Sequence, residues 1–271
     1  MLPRRRFLQA LAAAMLSSLG LLVGLPLGYR RLRARYSAPY RTVRGDKLVY
    51  LPMPRLRGVV SLEEALANRR SIREYTDEPI TIEELAQLLW AAQGVSETRH
   101  GFRTSPSAGA TYPLEVYVVA APKGVLTGDG FLEPGSYRYL PHSHALVQVR
   151  KGDDLVERLY HAALEQEWVR EAPVNLIFAA VYERTTRRYG ARGIRYVHIE
   201  VGHAGQNVYL QAAALGLATV AIGAFHDDEV RKVVGTPEEE NPLYIMPVAR
   251  PRWRYQLNPN DLARYIEGHR S

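Results

Sequence analysis

Three arginines and a serine fall within five residues: Arg69, Arg70, Ser71 and Arg73, with Ile72 between and Tyr75 just beyond. Such side chains suit a phosphate, because guanidinium forks pair with its oxygens bidentately and a hydroxyl adds a neutral donor. The cluster also stands at the end of a short helix, where cations complement the dipole. On composition alone, a solvated helix end is the better account.

What argues for a ligand is a set of further motifs, in order along the chain. Thr104 to Pro113 (TSPSAGATYP) is built from small residues that let a flat ring approach the backbone. Gly202-His203-Ala204-Gly205-Gln206-Asn207 lies on a long helix. Ile222-Gly223-Ala224-Phe225-His226-Asp227 joins a strand to a helix and offers backbone N–H groups. Arg250 and Arg252 flank Pro251 at the end of the last strand, adding two cations able to meet a phosphate.

Taken in order, Arg-Arg-Ser-x-Arg-x-Tyr, then Leu-Leu-Trp-Ala-Ala-Gln-Gly (Leu88 to Gly94), then Pro-Ser-Ala-Gly-Ala-x-Tyr-Pro, then Gly-His-x-x-Gln-Asn resemble the nitroreductase superfamily. The closer likeness is to its SagB-type, thiazole/oxazole-forming dehydrogenase branch, from about Ser61 to Ala249. The resemblance implies an FMN-dependent oxidoreductase that passes a hydride between the flavin and a small organic or peptide-derived substrate in alternating half-reactions. It implies that Arg69, Ser71 and Arg73, with Arg70 in the same cluster, hold the flavin phosphate, joined by Arg250 or Arg252. Pro106, Ser107 and Gly109 would line the isoalloxazine, and the backbone at Gly223-Ala224 would face flavin N5 and O4. Members of the superfamily are typically intertwined homodimers with each flavin between subunits, so a homodimer is expected.

Within that branch, azoline oxidation uses a Lys-Tyr pair, and the matching positions here are Arg188-Tyr189. Arginine stays protonated at any relevant pH and cannot replace a lysine base; Tyr189 retains a role as acid or hydrogen-bond donor. Azoline-to-azole dehydrogenation of a peptide is therefore an alternative, and a non-catalytic flavin-binding or scaffold protein at the membrane is another. The usual Asp before Gly-His is also changed, to Glu200-Val201. His203 on an amphipathic helix reads first as a packing residue, and His142, His144 and His198 lack carboxylates at zinc-ligand spacing, so no metal is expected. The absence of cysteine removes disulfides, thiolate nucleophiles and iron–sulfur clusters.

The elements that must position these residues can be traced from pattern. Ser61 and Thr81 each begin a capping box, the second opening a helix with Leu85, Leu88, Leu89 and Ala92 on one face and ending at Gly94. Leu114–Ala121 and Val174–Val181 read as buried strands, and 135–140 with 145–149 as a hairpin. A helix over 153–167 and a longer one over 195–215 are expected, then strands near 218–222 and 243–249 around a short helix at Asp227. Hairpin-linked and helix-linked strands together indicate an α+β fold, with a mixed, mainly antiparallel sheet flanked by helices.

Of the 271 residues 46% are apolar, enough for a sizeable core. The net charge of +7 is concentrated at one end. Residues 1–45 hold nine arginines and no acid, so the remainder is close to neutral and nucleic acid is not an expected partner. Residues 7–29 carry no charge and as a helix would reach about 35 Å, enough to cross a bilayer core. Arg4-Arg5-Arg6-Phe7-Leu8 ahead of them resembles a twin-arginine export signal. The expected organisation is a signal or membrane anchor (1–29), a basic, proline-containing linker (30–60) and an FMN-binding domain (61–271). The catalytic domain is expected outside the cytoplasm, membrane-anchored or exported by the twin-arginine route.

Overall fold

The computed structural model describes residues 48–270. The apolar stretch at 7–29 and the start of the linker lie outside them. Among the described residues no helix is long and apolar enough to cross a membrane.

Strand β1 (Leu48–Tyr50) is followed by helix α1 (Leu62–Asn68), β2 (Ile80–Thr81) and α2 (Ile82–Gln93). Short strands β3 (Val95–Glu97) and β4 (Phe102–Arg103) lead to β5 (Leu114–Ala120), β6 (Val125–Thr127), β7 (Gly130–Phe131) and the hairpin β8 (Gly135–Leu140) with β9 (Ala145–Lys151). Helices α3 (Leu155–Ala162) and α4 (Glu167–Glu171) precede β10 (Val174–Ala180), α5 (Glu183–Tyr189) and α6 (Arg192–Leu215). Then come β11 (Ala218–Thr219), α7 (Asp227–Val234), β12 (Asn241–Ala249) and α8 (Pro259–Gly268).

The main sheet runs β1-β9-β8-β5-β10-β12-β11, every pairing in it antiparallel, while β2 pairs with β6 in parallel. This is the expected α+β architecture. Alternate residues of each central strand face opposite ways, and both faces are covered. On one, Val116, Val118, Leu176, Phe178 and Met246 meet Leu85, Leu88 and Leu89 of α2 and Val197, Val201, Ala204 and Val208 of α6. On the other, Tyr117, Val119, Ile177 and Ile245 meet Leu159 of α3 and Val230 and Val233 of α7. Each fully buried Val, Leu or Phe contributes about 1.5–3 kcal/mol, so the two layers together set the fold.

Both expected N-caps form: Ser61 accepts from Glu64 N–H, and Thr81 with Glu84 makes a reciprocal capping box. The long helix begins at Arg192 and ends at Gly216, which takes a left-handed φ of 70°. Two expectations change. The single helix over 153–167 is two, α3 and α4, because Leu164 and Glu165 both take positive φ and turn the chain between them. Residues 48–50, placed in the linker, pair with β9 as the sheet's edge strand.

Candidate functional site

The arginine cluster leaves the end of α1 in extended conformation. Ile72 N–H donates to Thr219 O at 3.2 Å beside β11, and its side chain is buried. Its neighbours Ser71 and Arg73 are exposed. Ser71 Oγ lies 2.9 Å from the hydroxyl of Tyr209 on α6, and that hydroxyl accepts the Ala221 N–H at 2.7 Å. The Arg69 guanidinium sits 5.2 Å from the same tyrosine ring. Tyr209 thus ties Arg69 and Ser71 to the stretch leading into Gly223. Arg73 lies 5.2 Å from the ring of Trp168 on α4. Gln166, two residues before that tryptophan, donates to Ala163 O and Ala224 O at 2.8 and 2.9 Å. The Gly223-Ala224 turn is therefore fixed while staying exposed, and no heavy atom lies within 4 Å of where a Gly223 side chain would begin.

The remaining cations of the expected set are employed differently. Arg70 turns back to donate to Ala67 O and Arg69 O, closing α1, and stacks 3.7 Å from the Tyr255 ring. Arg250 gives its fork to both oxygens of Glu84, at 2.7 and 2.9 Å. A carboxylate within reach satisfies a guanidinium better than solvent does. Arg252 Nε donates to Tyr75 O at 2.5 Å, where 74–76 and 250–252 pair through their backbones. These three brace the segments around the cluster. Arg69, Ser71 and Arg73, with the open turn at Gly223-Ala224, keep a donor set that fits a phosphate and an adjoining planar ring.

The small-residue loop is held from behind. Thr104 Oγ1 donates to Trp90 O and Ala91 O, Ser105 Oγ to Ala92 O, and Asn207 Nδ2 to Ala91 O and Ser105 Oγ. Ala91 O and Ala92 O, which the end of α2 leaves without helical partners, are satisfied in this way, while Trp90 O also takes the Gly94 N–H. Pro106 and Gly109 are left exposed, and Ser107 Oγ accepts the Tyr112 N–H at 2.9 Å.

Helix α5 lies along this loop in a defined register. Arg184 Nη1 donates to Tyr112 O at 3.0 Å, Thr185 and Thr111 hydroxyls meet at 2.8 Å, and Arg188 Nη1 donates to Gly109 O at 3.3 Å. Gly109 has a φ of 62°, and a Cβ there would stand 2.6 Å from Tyr189 Oη and 2.7 Å from Arg188 Nη1. The structure therefore brings Arg188, Tyr189 and Gly109 together, and Tyr189 packs edge-on against Tyr196 of α6. Behind α5, Glu115 binds Arg184 at 2.6 Å and the buried Arg138 at 2.8 Å, which also reaches Glu240 at 3.3 Å.

Two site residues were invisible as such in the sequence. Tyr209 has no local signature, since its partners come from residues 71 and 221. Glu200 is 2% exposed, its Oε1 without a hydrogen-bond partner; burial pushes its carboxyl up to about 7, against the pull of Ser107 and Arg103. Its one advance signal was the departure from Asp before Gly-His. His203 is exposed on α6, His198 contacts the Tyr182 hydroxyl, and His144 bridges Tyr139 and Pro52 O. Among the described residues no group of three His, Asp or Glu could hold a metal.

The model of the family described as the nitroreductase family matches residues 66–250. A candidate nitroreductase of Methanocaldococcus jannaschii is 50% identical over 192 residues, covering 70% of this chain and 91% of that protein. The microcin B17-processing protein McbC of Escherichia coli is 28% identical over 169 residues, 62% of this chain and 57% of McbC. Among solved structures, a candidate nitroreductase from Ralstonia eutropha superposes with a TM-score of 0.64 at 29% identity, covering 78% of this chain and 92% of that one.

Proposed function

The chain belongs to the nitroreductase family, and on that premise we propose that it is an FMN-dependent oxidoreductase acting on a small organic or peptide-derived substrate. The observation that carries the reading is the gathering of Arg69 and Ser71 on Tyr209, whose hydroxyl also anchors the strand into the exposed Gly223 turn. Bound there, FMN would supply alternating hydride acceptance and return. Arg69, Ser71 and Arg73 would hold its phosphate by charge and hydrogen bonding. The N–H groups at Gly223-Ala224 would donate to the ring edge where negative charge develops, pre-aimed by Gln166. Recording the visible spectrum of the purified protein with added FMN tests this: flavin absorbance that stays with the protein is expected.

The loop of Pro106, Ser107 and Gly109 and the cluster of Arg69 and Ser71 attach to α6 at Asn207 and Tyr209 respectively. Two residues apart is about 200° around a helix, so they lie on opposite flanks. One flavin would meet both if a second copy brought its loop to the first copy's arginines, which favours a homodimer with a site completed across the interface.

A second reading, azoline-to-azole peptide dehydrogenation in the SagB-type branch, is favoured by the likeness to McbC and by the position of Arg188-Tyr189 against the loop. Arg188 donates to Gly109 O and cannot act as base, which leaves Tyr189 to hold or deliver a proton. Gain of azoline oxidation in Arg188→Lys would favour this branch. The apolar residues 7–29 and preceding arginines are proposed to anchor or export the protein, with the domain outside the cytoplasm; membrane fractionation tests this.

A further inference from the structure

The segment between β1 and α1 holds apolar side chains out in water. Met53, Leu56 and Val59 are exposed by four-fifths or more, and Leu62 and Leu66, one turn apart on α1, by more than half. Leu56, Val59 and Leu62 stand around one hollow of about 430 Å³ with Trp90, Leu210 and Leu215, so they share one side of the domain. An exposed apolar group of this kind marks a surface that meets a partner. The backbone beneath it is pinned, which keeps these side chains from folding inward. Leu51 N–H donates to His144 O at 3.0 Å, and His144 Nε2 lies 2.9 Å from Pro52 O. The buried Gln87 of α2 grips Arg55 twice: its Oε1 accepts the Arg55 N–H at 2.8 Å, and its Nε2 donates to Arg55 O at 3.1 Å. Further along, Ser61 caps α1 and fixes the other end.

Charge indicates what meets this side. Residues 47–62 contain Lys47, Arg55 and Arg57 and no acid, whereas residues 48–271 as a whole hold 25 basic and 27 acidic residues. The next acids, Glu63 and Glu64, lie in the first turn of α1, where the helix dipole suits them. A second copy docking through the same side about a twofold axis would set Arg55 and Arg57 against their own counterparts, which is unfavourable. An anionic bilayer accepts both features: apolar side chains sink below the headgroups, and guanidinium groups stay among the phosphates. We propose that the side of the domain bearing Met53, Leu56, Val59 and Leu62 rests in the interface of an anionic lipid bilayer, with Arg55 and Arg57 at the headgroup phosphates. The inference rests on the reading of residues 7–29 as a membrane anchor. Residues 30–47, which join that stretch to β1, span about 60 Å at most. A domain so tethered stays near the bilayer surface, and weak contacts suffice to hold it there.

The chain has no cysteine, so a single one can carry a label without interference. Leu56→Cys and Val59→Cys replace exposed side chains and leave the core intact; Lys232→Cys, on α7 across the sheet, serves as the control. Each full-length variant is labelled with a polarity-sensitive fluorophore and reconstituted into vesicles of phosphatidylcholine and phosphatidylglycerol, with and without lipids brominated near the top of the acyl chain. Labels at 56 and 59 are expected to shift to the blue and to lose most of their emission to the brominated lipid, while the label at 232 does neither. Vesicles of phosphatidylcholine alone are expected to quench them less; equal quenching would contradict the role given to Arg55 and Arg57. Labels at 56 and 59 that behave like the one at 232 would overturn the inference. So would a blue shift without quenching, which would mean that protein, such as a second copy, covers this side. In both cases the chain is still recovered with the vesicles after an alkaline wash. A chain that the wash strips from them would overturn the anchor reading as well.

Discussion

Arg188 Nη1 donates to the Gly109 carbonyl across 3.3 Å, so the end of α5 and the apex of the small-residue loop meet at one point. Arg184 on Tyr112 O and Thr185 on Thr111 fix the same helix about one turn earlier. Glycine suits this meeting place best, first for its φ of 62° and then for the space.

Gly109→Ala is expected to fold, because the atoms it would strike are the ends of flexible side chains, with a loss of about 1 kcal/mol from the left-handed backbone. Arg188 and Tyr189 would be displaced. Turnover should fall by about tenfold or more while FMN affinity changes little, since the phosphate contacts lie on the other flank of α6. Steady-state kinetics alongside flavin titration separates the two effects, and unchanged kcat would count against a role for this pair.

Glu115 holds both Arg138, which is 1% exposed, and Arg184. Glu115→Gln is expected to cost about 3–5 kcal/mol, the typical penalty for leaving a buried charge without its partner. Urea unfolding reads the loss directly. A change within 0.5 kcal/mol would mean that the network does not brace α5.

The main frame was legible in the sequence, because its signals are local. The threonine cap at Thr81, the apolar repeat of α6 and the β-branched runs of β5 and β10 each predict their element. Helix α5 was missed because Glu183–Tyr189 (ERTTRRY) has no apolar period; the loop and Glu115 hold it instead. The break at Leu164-Glu165 carries no glycine to announce it. At the site, residue chemistry singled out Arg69, Ser71 and Arg73, but nothing local tells Arg250 that Glu84 lies within reach, or brings Tyr209 to Ser71.

Tyr209→Phe removes the hydroxyl that accepts from Ala221 and meets Ser71. One lost hydrogen bond is worth about 1 kcal/mol in stability. Ser71 and the Gly223 approach would lose their common anchor, so FMN affinity should weaken by about fivefold, a comparable energy. Fluorescence titration of the variant checks this.

The raised Glu200 carboxyl has a signed consequence for stability. Folding favours its protonated form, so the contribution is fully present below the ordinary value of 4.5 and lost as pH rises through about 7. The loss is on the order of 3 kcal/mol between those limits. Glu200→Gln should flatten this part of the profile, and thermal melts at pH 5 and pH 8 compare the two proteins. An equal pH difference in both would assign the effect elsewhere.

The central claim, that Arg69 and Ser71 with Tyr209 form the phosphate end of an FMN site, is tested most directly by FMN titration of the wild-type protein and Arg69→Ala. The account predicts one FMN bound per chain in the wild type, and affinity weaker by about tenfold or more in the variant, the value of one charge-assisted contact. A folded wild-type protein that takes up no FMN, or an Arg69→Ala variant that binds it as tightly, would contradict it.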